Sequence, residues 1–511
     1  MVNRLKINLY LIFIFVLICI LPPHLTRGIL AFVLLFVFAM LALRLVALLS
    51  DKPKQKLYLP TALSFEPFVS IIIACANEPA NLLAKTLDSM SKLKYHAFEV
   101  VLIDNNNTNM KNWQKIKEKC SSLGEKFKFI HIDSVKGFKA GALNLALRYL
   151  NPKSEILAIV DADYLVDKDF LNKTVGYFNN PKVGIVQAPQ DYYDFKNNPG
   201  LYCDYLAFFS VFMNQAERFN AVTFTGTMGL IRRSLFDKTL KWNEWCITED
   251  TEAGLFIHSL GYGGVYLDKS FGRGMMPLSY HSLVKQRTRW AYGNTQILKK
   301  DLWPILTNRS FNWQQKISFI TQLTAWVHFE LVIAMIFLAS AVRYSLYSRN
   351  ASVFIGKLSS IALVSSLLVY FLFYLFGLHK RANIFDRIKG LFAHYGLLFS
   401  MSYSWIYCLF GGRLGFQVTE KQKIRSNHFH VEGTGKELII PILFVSGGII
   451  MLAQSQMSLI WFTPILIYII IEIIGVYYLS KKFKDLDENC PTSSIMENGS
   501  TSQVRRVRTY R

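Results

Sequence analysis

Long apolar stretches enclose one extended region of mixed character in this chain. Two of them, residues 7–21 and 29–49, open the sequence and are separated by a short turn. A helix needs about 20 apolar residues to cross the ~30 Å hydrocarbon layer of a bilayer. No small-x-small cleavage site follows the first stretch, so we favour two membrane spans over the alternative of a secretory signal peptide.

The mixed region, residues 51–312, alternates short apolar runs with helix-like segments such as 80–92 and 139–150. Turn residues bound each run, which is typical of buried strands. Strands that alternate with helices predict an α/β domain with a mostly parallel sheet. The predicted strands are 68–74, 98–103, 127–132, 156–160 and 183–187.

Four further apolar stretches follow the mixed region and are predicted to span the membrane: 317–341, 354–378, 438–454 and 459–479. Residues 391–410, which contain Gly, His, Ser and Tyr, suit a helix lying in the interface instead. Six spans put the basic segment 381–430 and the arginine-rich tail on the same side as the α/β domain, in agreement with the positive-inside rule. A seventh span would put that tail outside.

These patterns divide the chain into six parts. They are two membrane helices (1–50), the α/β domain (51–312), two membrane helices (313–380), an interfacial helix and loop (381–436), two membrane helices (437–481) and a basic tail (482–511).

The composition agrees with a membrane protein that carries a large polar domain. Hydrophobic residues make up 52% of the 511 residues, which is too apolar for an ordinary soluble enzyme. The formal charge of +22 is attributed to Lys and Arg beside the spans rather than to a nucleic-acid partner. Seven scattered cysteines without a C-x-x-C pair indicate reduced thiols and argue against a disulfide scaffold or a zinc site.

Carboxylates follow two of the predicted strands. Asp161 and Asp163 come directly after strand 156–160, and ligands bind at the carboxyl ends of strands in open α/β sheets. Their hard oxygens suit Mg²⁺ or Mn²⁺ bridging a diphosphate, whereas an Asp-rich turn is the simpler alternative. Asp104 ends strand 98–103 and would accept hydrogen bonds from a base or ribose, unless it only forms an Asx turn.

Two further segments combine charge with predicted helix starts. Residues 136–144 open a helix with glycines and two lysines, one of them Lys139, which suits phosphate binding as well as simple helix capping. Thr248-Glu249-Asp250 precedes an amphipathic segment. A carboxylate there suits a general base for an acceptor hydroxyl, and a Thr cap with acidic first-turn residues is the alternative.

Residues 286–290, Gln-Arg-Thr-Arg-Trp, stand just before the later membrane spans. Gln286, Arg289 and Trp290 supply an amide, a bidentate clamp for a diphosphate and a flat face for stacking a pyranose. An interfacial anchor is the alternative, and we favour the functional interpretation.

Taken in order, these motifs resemble the D, D-x-D, T-E-D, Q-x-x-R-W signature of processive family-2 glycosyltransferases. The similarity is closest to the bacterial cellulose synthase catalytic subunit and to related β-glucan and capsule synthases. Residues 77–79, 139–141 and 224–227 match as well, and 416–421 resemble the family's F-x-V-T-x-K gating loop. The resemblance covers about residues 65–435.

The resemblance implies a glycosyltransferase-A fold, a UDP-sugar donor, a growing polysaccharide acceptor and Mg²⁺ or Mn²⁺. It assigns the nucleotide to Asp104, Lys139, Asp161 and Arg289, the metal to Asp163, and the catalytic base to Asp250. It assigns the acceptor to Gln286, Trp290, Gly226, Thr227 and Glu249, and closure over the bound donor to Thr419 and Lys421. It also implies a multi-pass enzyme of the plasma membrane with its catalytic domain in the cytoplasm.

Two positions depart from the family pattern. Leu278 stands where many members carry a carboxylate, and Met228 where many have a small residue, which leaves linkage and acceptor geometry open. We expect no cyclic-di-GMP-binding PilZ domain, since its motifs are missing after the last span. UDP-glucose polymerised to a β-glucan and translocated is the leading hypothesis. Hyaluronan, chitin or mannan synthesis, non-processive transfer to a lipid carrier, an inactive transporter and the oligomeric state remain open.

Overall fold

The computed structural model describes residues 2–50, 59–60, 66–238, 241–347, 351–415, 435–454 and 458–488. The predicted gating loop with Thr419 and Lys421, and the arginine-rich tail, lie outside these residues.

A seven-stranded sheet forms the centre of the α/β domain, in the order β3-β2-β1-β4-β7-β6-β8. Its neighbours are parallel except around β7, which runs antiparallel to both β4 and β6. A separate two-stranded ribbon pairs β5 with β9. The strands are β1 (Val69–Cys75), β2 (Phe98–Asn105), β3 (Phe127–Ile132), β4 (Ile156–Ile159), β5 (Leu165–Val166), β6 (Val183–Gln187), β7 (Gly229–Arg232), β8 (Gly263–Tyr266) and β9 (Gly272–Arg273).

All five predicted strands are confirmed. β1 and β2 are near-continuous apolar runs because helices cover both faces of this parallel sheet. β5, β7, β8 and β9 were not predicted. β5 and β9, with two residues each, are too short to show a period, and β7 and β8 begin with glycine, which is depleted in strands.

Helices pack on both faces of the sheet and continue toward the apolar helices. The helices of this domain are α3 (Ala80–Met90), α4 (Met110–Ser122), α5 (Phe138–Ala146), α6 (Phe170–Thr174), α7 (Pro199–Ala207), α8 (Met213–Arg218), α9 (Ser234–Lys238), α10 (Glu249–Ser259) and α11 (Tyr280–Thr307). A π-helical segment, Phe208–Phe212, joins α7 to α8. The predicted helix 139–150 is therefore α5 followed by one 3-10 turn, Leu147–Tyr149.

The remaining helices form an apolar bundle. They are α1 (Val2–Ile20), α2 (Pro23–Leu49), α12 (Trp313–Leu323), α13 (Glu330–Tyr347), α14 (Ala351–Gly377), α15 (Ile384–Tyr395), α16 (Leu398–Leu409), α17 (Ile439–Ala453) and α18 (Leu459–Glu488). Four helices in the described part of the chain are long and apolar enough to cross a membrane: His24–Leu49, Gly356–Gly377, Gly435–Ala453 and Leu459–Leu486. The predicted number of six spans stays a prediction.

The prediction of one helix for the span 317–341 is wrong, because the helix is interrupted between the end of α12 and the start of α13. Arg44 of α2 donates to the Thr324 hydroxyl at 3.1 Å and to the Thr324 carbonyl. This contact satisfies a carbonyl group at the end of α12. The donor, Arg44, lies 280 residues away in the sequence, so no local sequence signal indicates the end of the helix.

The predicted interfacial helix 391–410 is also two helices, α15 and α16. Gly396 lies between them and approaches the backbone of Gly475 in α18, where an added Cβ would come within 2.7 Å of backbone atoms. The two glycines thus allow this close crossing of the chain.

Candidate active site

A cleft of about 570 Å³ opens at the carboxyl ends of β1 and β4 and is closed on its far side by α11. One end is polar and the other aromatic. Nine of the predicted site residues line it: Lys139, Asp161, Asp163, Gly226, Glu249, Asp250, Gln286, Arg289 and Trp290.

Lys139 brings a cation to the polar end. The chain enters α5 through left-handed backbone at Gly137 and Phe138, with φ of 79° and 55°, which turns the first helical residues toward the cleft. The Lys139 Nζ donates to Asp161 Oδ1 at 2.6 Å and to the Gly226 carbonyl at 2.9 Å. Burial works against the charge of Lys139, but the carboxylates around it raise its pKa on balance.

Asp163 stands two residues beyond Asp161 and is almost fully buried. Its Oδ2 accepts a hydrogen bond from the Met275 backbone N–H at 3.0 Å, which orients the carboxyl group. Two carboxylates of a D-x-D segment thus face one cleft, as oxygen ligands for a divalent cation require.

Glu249 and Asp250 begin α10 and face Lys139 from the other side. Burial raises the pKa of Asp250, while the charge of Lys139 acts in the opposite direction. The pKa of Glu249 is raised first by burial and then by its neighbour Asp250. A raised pKa brings a carboxylate closer to the range in which it can take up and release a proton near neutral pH.

The loop before β7 holds this carboxylate cluster in place. The Thr227 hydroxyl accepts the Asp161 backbone N–H at 3.0 Å, and Thr227 is itself buried behind the cleft. Gly226 has a φ of 84°, and an added Cβ would lie 2.5 Å from Asp250 Oδ2. The carboxylate of Asp250 therefore rests against a position that only glycine can fill.

Replacing Gly226 by Ala is expected to remove activity because the new methyl group displaces the Asp250 carboxylate. The left-handed backbone adds a stability cost of about 1 kcal/mol. Gly124→Ala is the matched control, since Gly124 has a φ of 92° and nothing lies within 4 Å of its added Cβ. Both variants should lose similar thermal stability, and only Gly226→Ala should lose sugar transfer. Equal activities would contradict the proposed contact.

Helix α11 supplies the opposite wall. Gly293 allows α11 to approach Thr248, because an added Cβ would come within 2.6 Å of the Thr248 side chain. Arg289 points into the cleft; burial lowers its pKa, and Glu249 and Asp161 partly restore it. Gln286 accepts a hydrogen bond from the Tyr205 hydroxyl.

Asp104 is not on the cleft surface. Its carboxylate is fully buried, with Oδ2 2.8 Å from His131 Nδ1 and Oδ1 accepting from Asn107 Nδ2 at 3.1 Å. Asn105 and Asn106, which follow it, line the cleft instead. The predicted role of Asp104 in nucleotide binding stays a prediction, and in this structure its contacts organise the loop after β2.

Aromatic side chains line the other end of the cleft, and Trp290 is the one among them that the sequence motifs indicated. The further rings are those of Tyr205, Phe208, Phe209 and Trp326. Residues 202–212 are rich in aromatics, which is the one local signal that could have indicated them. Trp326 lay inside a stretch interpreted as a membrane span, where a tryptophan is expected as an apolar residue.

Comparison with known proteins identifies the class of this domain. Residues 67–293 match the family described as glycosyltransferase like family 2, and this part of the chain is a glycosyltransferase family 2 domain. Its mixed, mostly parallel sheet has the glycosyltransferase-A arrangement.

The particular relatives are polysaccharide synthases. The chain is 25% identical over 343 residues to a cellulose synthase catalytic subunit [UDP-forming] of Pseudomonas fluorescens, which covers 64% of this chain and 42% of that protein. It is 25% identical over 248 residues to the poly-β-1,6-N-acetyl-D-glucosamine synthase of Staphylococcus epidermidis, covering 48% and 58%. It is 25% identical over 263 residues to glucomannan 4-β-mannosyltransferase 7 of Arabidopsis thaliana, covering 49% and 47%.

A solved structure shares the fold. A mannosyltransferase from Pyrobaculum calidifontis in complex with GDP-Man and Mn²⁺ superposes with a TM-score of 0.53 at 17% identity, covering 75% of this chain and 99% of that one.

Proposed function

We propose that this protein is a membrane-embedded, inverting and processive hexosyltransferase that polymerises a UDP-sugar, first of all UDP-glucose, into a β-glucan and passes the product between its apolar helices. One observation carries the proposal. A single cleft joins the carboxylate and lysine cluster around Asp250 to an aromatic wall that ends at Trp326, directly before the apolar helix α13. Transfer chemistry at one end and a sugar-stacking surface at the other suit an enzyme that retains its product.

Donor binding would use the cationic groups of the polar end. Lys139 and Arg289 face the same carboxylates from opposite sides of the cleft, and both would meet the diphosphate of the sugar nucleotide. Lys139 would then exchange part of its contact with Asp161 for phosphate oxygens. Asn105 and Asn106, at the end of β2, line the cleft too and would contact the base or ribose.

The oxygen donors at Asp161 and Asp163 fit a Mg²⁺ or Mn²⁺ ion, which would neutralise diphosphate charge when bound. In the described part of the chain no group of three or more His, Cys, Asp or Glu side chains is arranged to hold a metal. The protein would therefore hold the ion through the carboxylates of the D-x-D segment, with Asp163 as its predicted ligand.

Transfer would proceed by in-line displacement. Asp250 removes the proton of an acceptor hydroxyl, whose oxygen forms a bond to the anomeric carbon of the donor sugar. The bond from that carbon to the β-phosphate oxygen breaks, and UDP leaves with the electron pair. Arg289 and Lys139 stabilise the charge that develops on the leaving oxygen, and the anomeric configuration is inverted.

The acceptor would lie along the aromatic wall. Trp290 offers a ring face for the terminal sugar, and Gln286 stands one helical turn before it on α11. Gly226 and Glu249 lie near Asp250, where the attacking hydroxyl would be. The proposed closure by Thr419 and Lys421 concerns a segment outside the described residues.

The sugar and the product length need a direct experiment. The curated relatives include synthases of cellulose, glucomannan and poly-N-acetylglucosamine, and the chain spans only part of each. Purified protein in liposomes should be incubated with radiolabelled UDP-glucose, UDP-N-acetylglucosamine, UDP-glucuronate and GDP-mannose, and the products digested with linkage-specific glycosidases. We expect a long polymer from UDP-glucose that β-glucanases degrade. Single-sugar lipid products would support the non-processive alternative, and lack of turnover with every donor would refute the proposal.

Removal of divalent cations is expected to stop polymer synthesis. Without the cation, the carboxylates at Asp161 and Asp163 would repel the donor diphosphate. Activity should fall at least about 100-fold in excess EDTA and return on addition of Mn²⁺ or Mg²⁺. The thermal unfolding temperature without nucleotide should change little. Full turnover in EDTA would contradict a metal at this site.

A further inference from the structure

A buried ion pair lies directly behind the aromatic wall. Arg287 Nη2 is 2.5 Å from Asp204 Oδ2, and the exposed fractions of the two residues are 0% and 2%. Withdrawing two charges from water offsets most of their attraction, so such a pair adds little net stability. Its place in the molecule therefore calls for another explanation.

The Arg287 guanidinium lies among three rings of the wall. Its central carbon is 4.4 Å from the ring centroid of Tyr205 and 4.5 Å from those of Trp290 and Trp326. The rings come from α7, α11 and the break between α12 and α13, so one cation joins three separate parts of the chain. A planar guanidinium is attracted to aromatic faces and can pack flat against them.

Asp204 fixes this cation to the apolar bundle. Its Oδ1 accepts the Tyr374 hydroxyl of α14 at 2.6 Å and lies 3.1 Å from His394 Nδ1 of α15. Burial by itself would raise the pKa of Asp204, but Arg287, His394 and Tyr374 lower it to about 2. The aspartate is therefore a permanent charge at neutral pH, and it holds the guanidinium in one position.

Consecutive residues of α7 contact consecutive residues of α11. Asp204 pairs with Arg287, and the Tyr205 hydroxyl donates to Gln286. This double contact sets the rotation of α11 about its axis, and with it the direction of the Trp290 ring three residues further on.

We propose that Asp204 and Arg287 are positioning residues that hold Tyr205, Trp290 and Trp326 as a saccharide-binding platform, so that the pair governs affinity for the acceptor sugar chain and not for the donor nucleotide. The inference rests on the proposed function for its biological meaning. Its physical content, binding of a β-linked oligosaccharide at this wall, can be measured without turnover.

The test compares Arg287→Lys with the wild-type protein. Lysine keeps a positive charge for Asp204 but loses the planar group that packs against three rings. Tryptophan fluorescence would be titrated with cellohexaose, mannohexaose and chitohexaose, and UDP binding would be measured by calorimetry. We expect the Kd of the hexasaccharide that binds the wild type to rise at least about tenfold and the Kd of UDP to change less than about twofold.

Two further proteins keep the test decisive. Arg381→Lys alters another Arg–Asp ion pair, with Asp268, neither of which lines the cleft, and should leave both affinities unchanged. The double variant Asp204→Leu/Arg287→Met replaces the buried pair by apolar side chains, which proteins often tolerate. It should fold, lose hexasaccharide affinity and retain UDP binding.

Unchanged hexasaccharide affinity in either folded variant would overturn the inference, as would a parallel loss of UDP affinity. Failure of both variants to fold would mark the pair as purely structural and would also overturn the inference. A wild type that binds none of the three hexasaccharides would overturn it as well. A wild type that binds a hexasaccharide but releases UDP from no sugar nucleotide would instead refute the proposed function.

Discussion

Asp250→Asn is expected to abolish polymer synthesis while UDP still binds. Asparagine keeps the shape of the side chain but cannot take the proton of an acceptor hydroxyl, and loss of a general base lowers rates about 10²–10⁴-fold. The nucleotide contacts proposed for Lys139 and Arg289 are untouched by the change. Incorporation of labelled sugar and UDP binding by calorimetry, measured on the same preparation, would separate the two effects.

Glu252→Gln provides the matched control. Glu252 lies on the same helix and does not line the cleft. Its Oε1 accepts a hydrogen bond from Asn243 Nδ2 at 2.6 Å. The same loss of a carboxylate there should change turnover by less than about twofold, because that group meets no reacting atom. Substantial polymer from Asp250→Asn would refute its assignment as the base.

Lys139→Met should have the second largest effect. It removes the cation that opposes the raised pKa values of Asp250 and Glu249, and it removes a proposed phosphate contact. We expect turnover at pH 7 to fall at least about 100-fold and the Kd for UDP to rise. A pH–rate profile of the remaining activity would measure how much of the loss comes from the changed pKa of Asp250.

The direction of that pH effect follows from the role of Asp250. A base acts in its deprotonated form, so activity is lost as the pH falls through the Asp250 pKa, which burial has already raised. Without Lys139 this pKa rises further, and the acidic limb of the profile should move to higher pH. Lys182→Met, a change of an exposed lysine remote from the cleft, should leave the limb in place. An acidic limb that moves to lower pH would contradict the effect of Lys139 on the Asp250 pKa.

The sequence predicted five of the strands and most of the polar half of the site, because both are determined by residues that are neighbours in the sequence. Continuous apolar runs mark β1, β2 and β4, and Asp161 and Asp163 directly follow one of them. The turn before α5 and the acidic first turn of α10 are also short motifs. In space, both lie next to Asp161 at the end of β4. The structure brings these motifs to one cleft.

The parts that sequence could not show depend on distant contacts. Trp326 reaches the cleft because the helix is interrupted where Arg44 bonds to Thr324. No periodic pattern in the sequence indicates this contact. Asp104 is turned away from the cleft by His131 on the neighbouring strand. The ion pair of Asp204 and Arg287 links residues 83 positions apart, and both would be expected at the surface from their charge alone.

The reversed direction of β7 decides which loops of this domain can vary in length. For parallel strands, the segment after the strand reaches the cleft. For β7 it is the segment before the strand, through Thr225 and Gly226. An insertion ahead of Gly229 would shift the neighbours of Asp161 and Asp250 directly. An insertion after Arg232 would emerge at the opposite end of the strand, away from the carboxylates of the cleft.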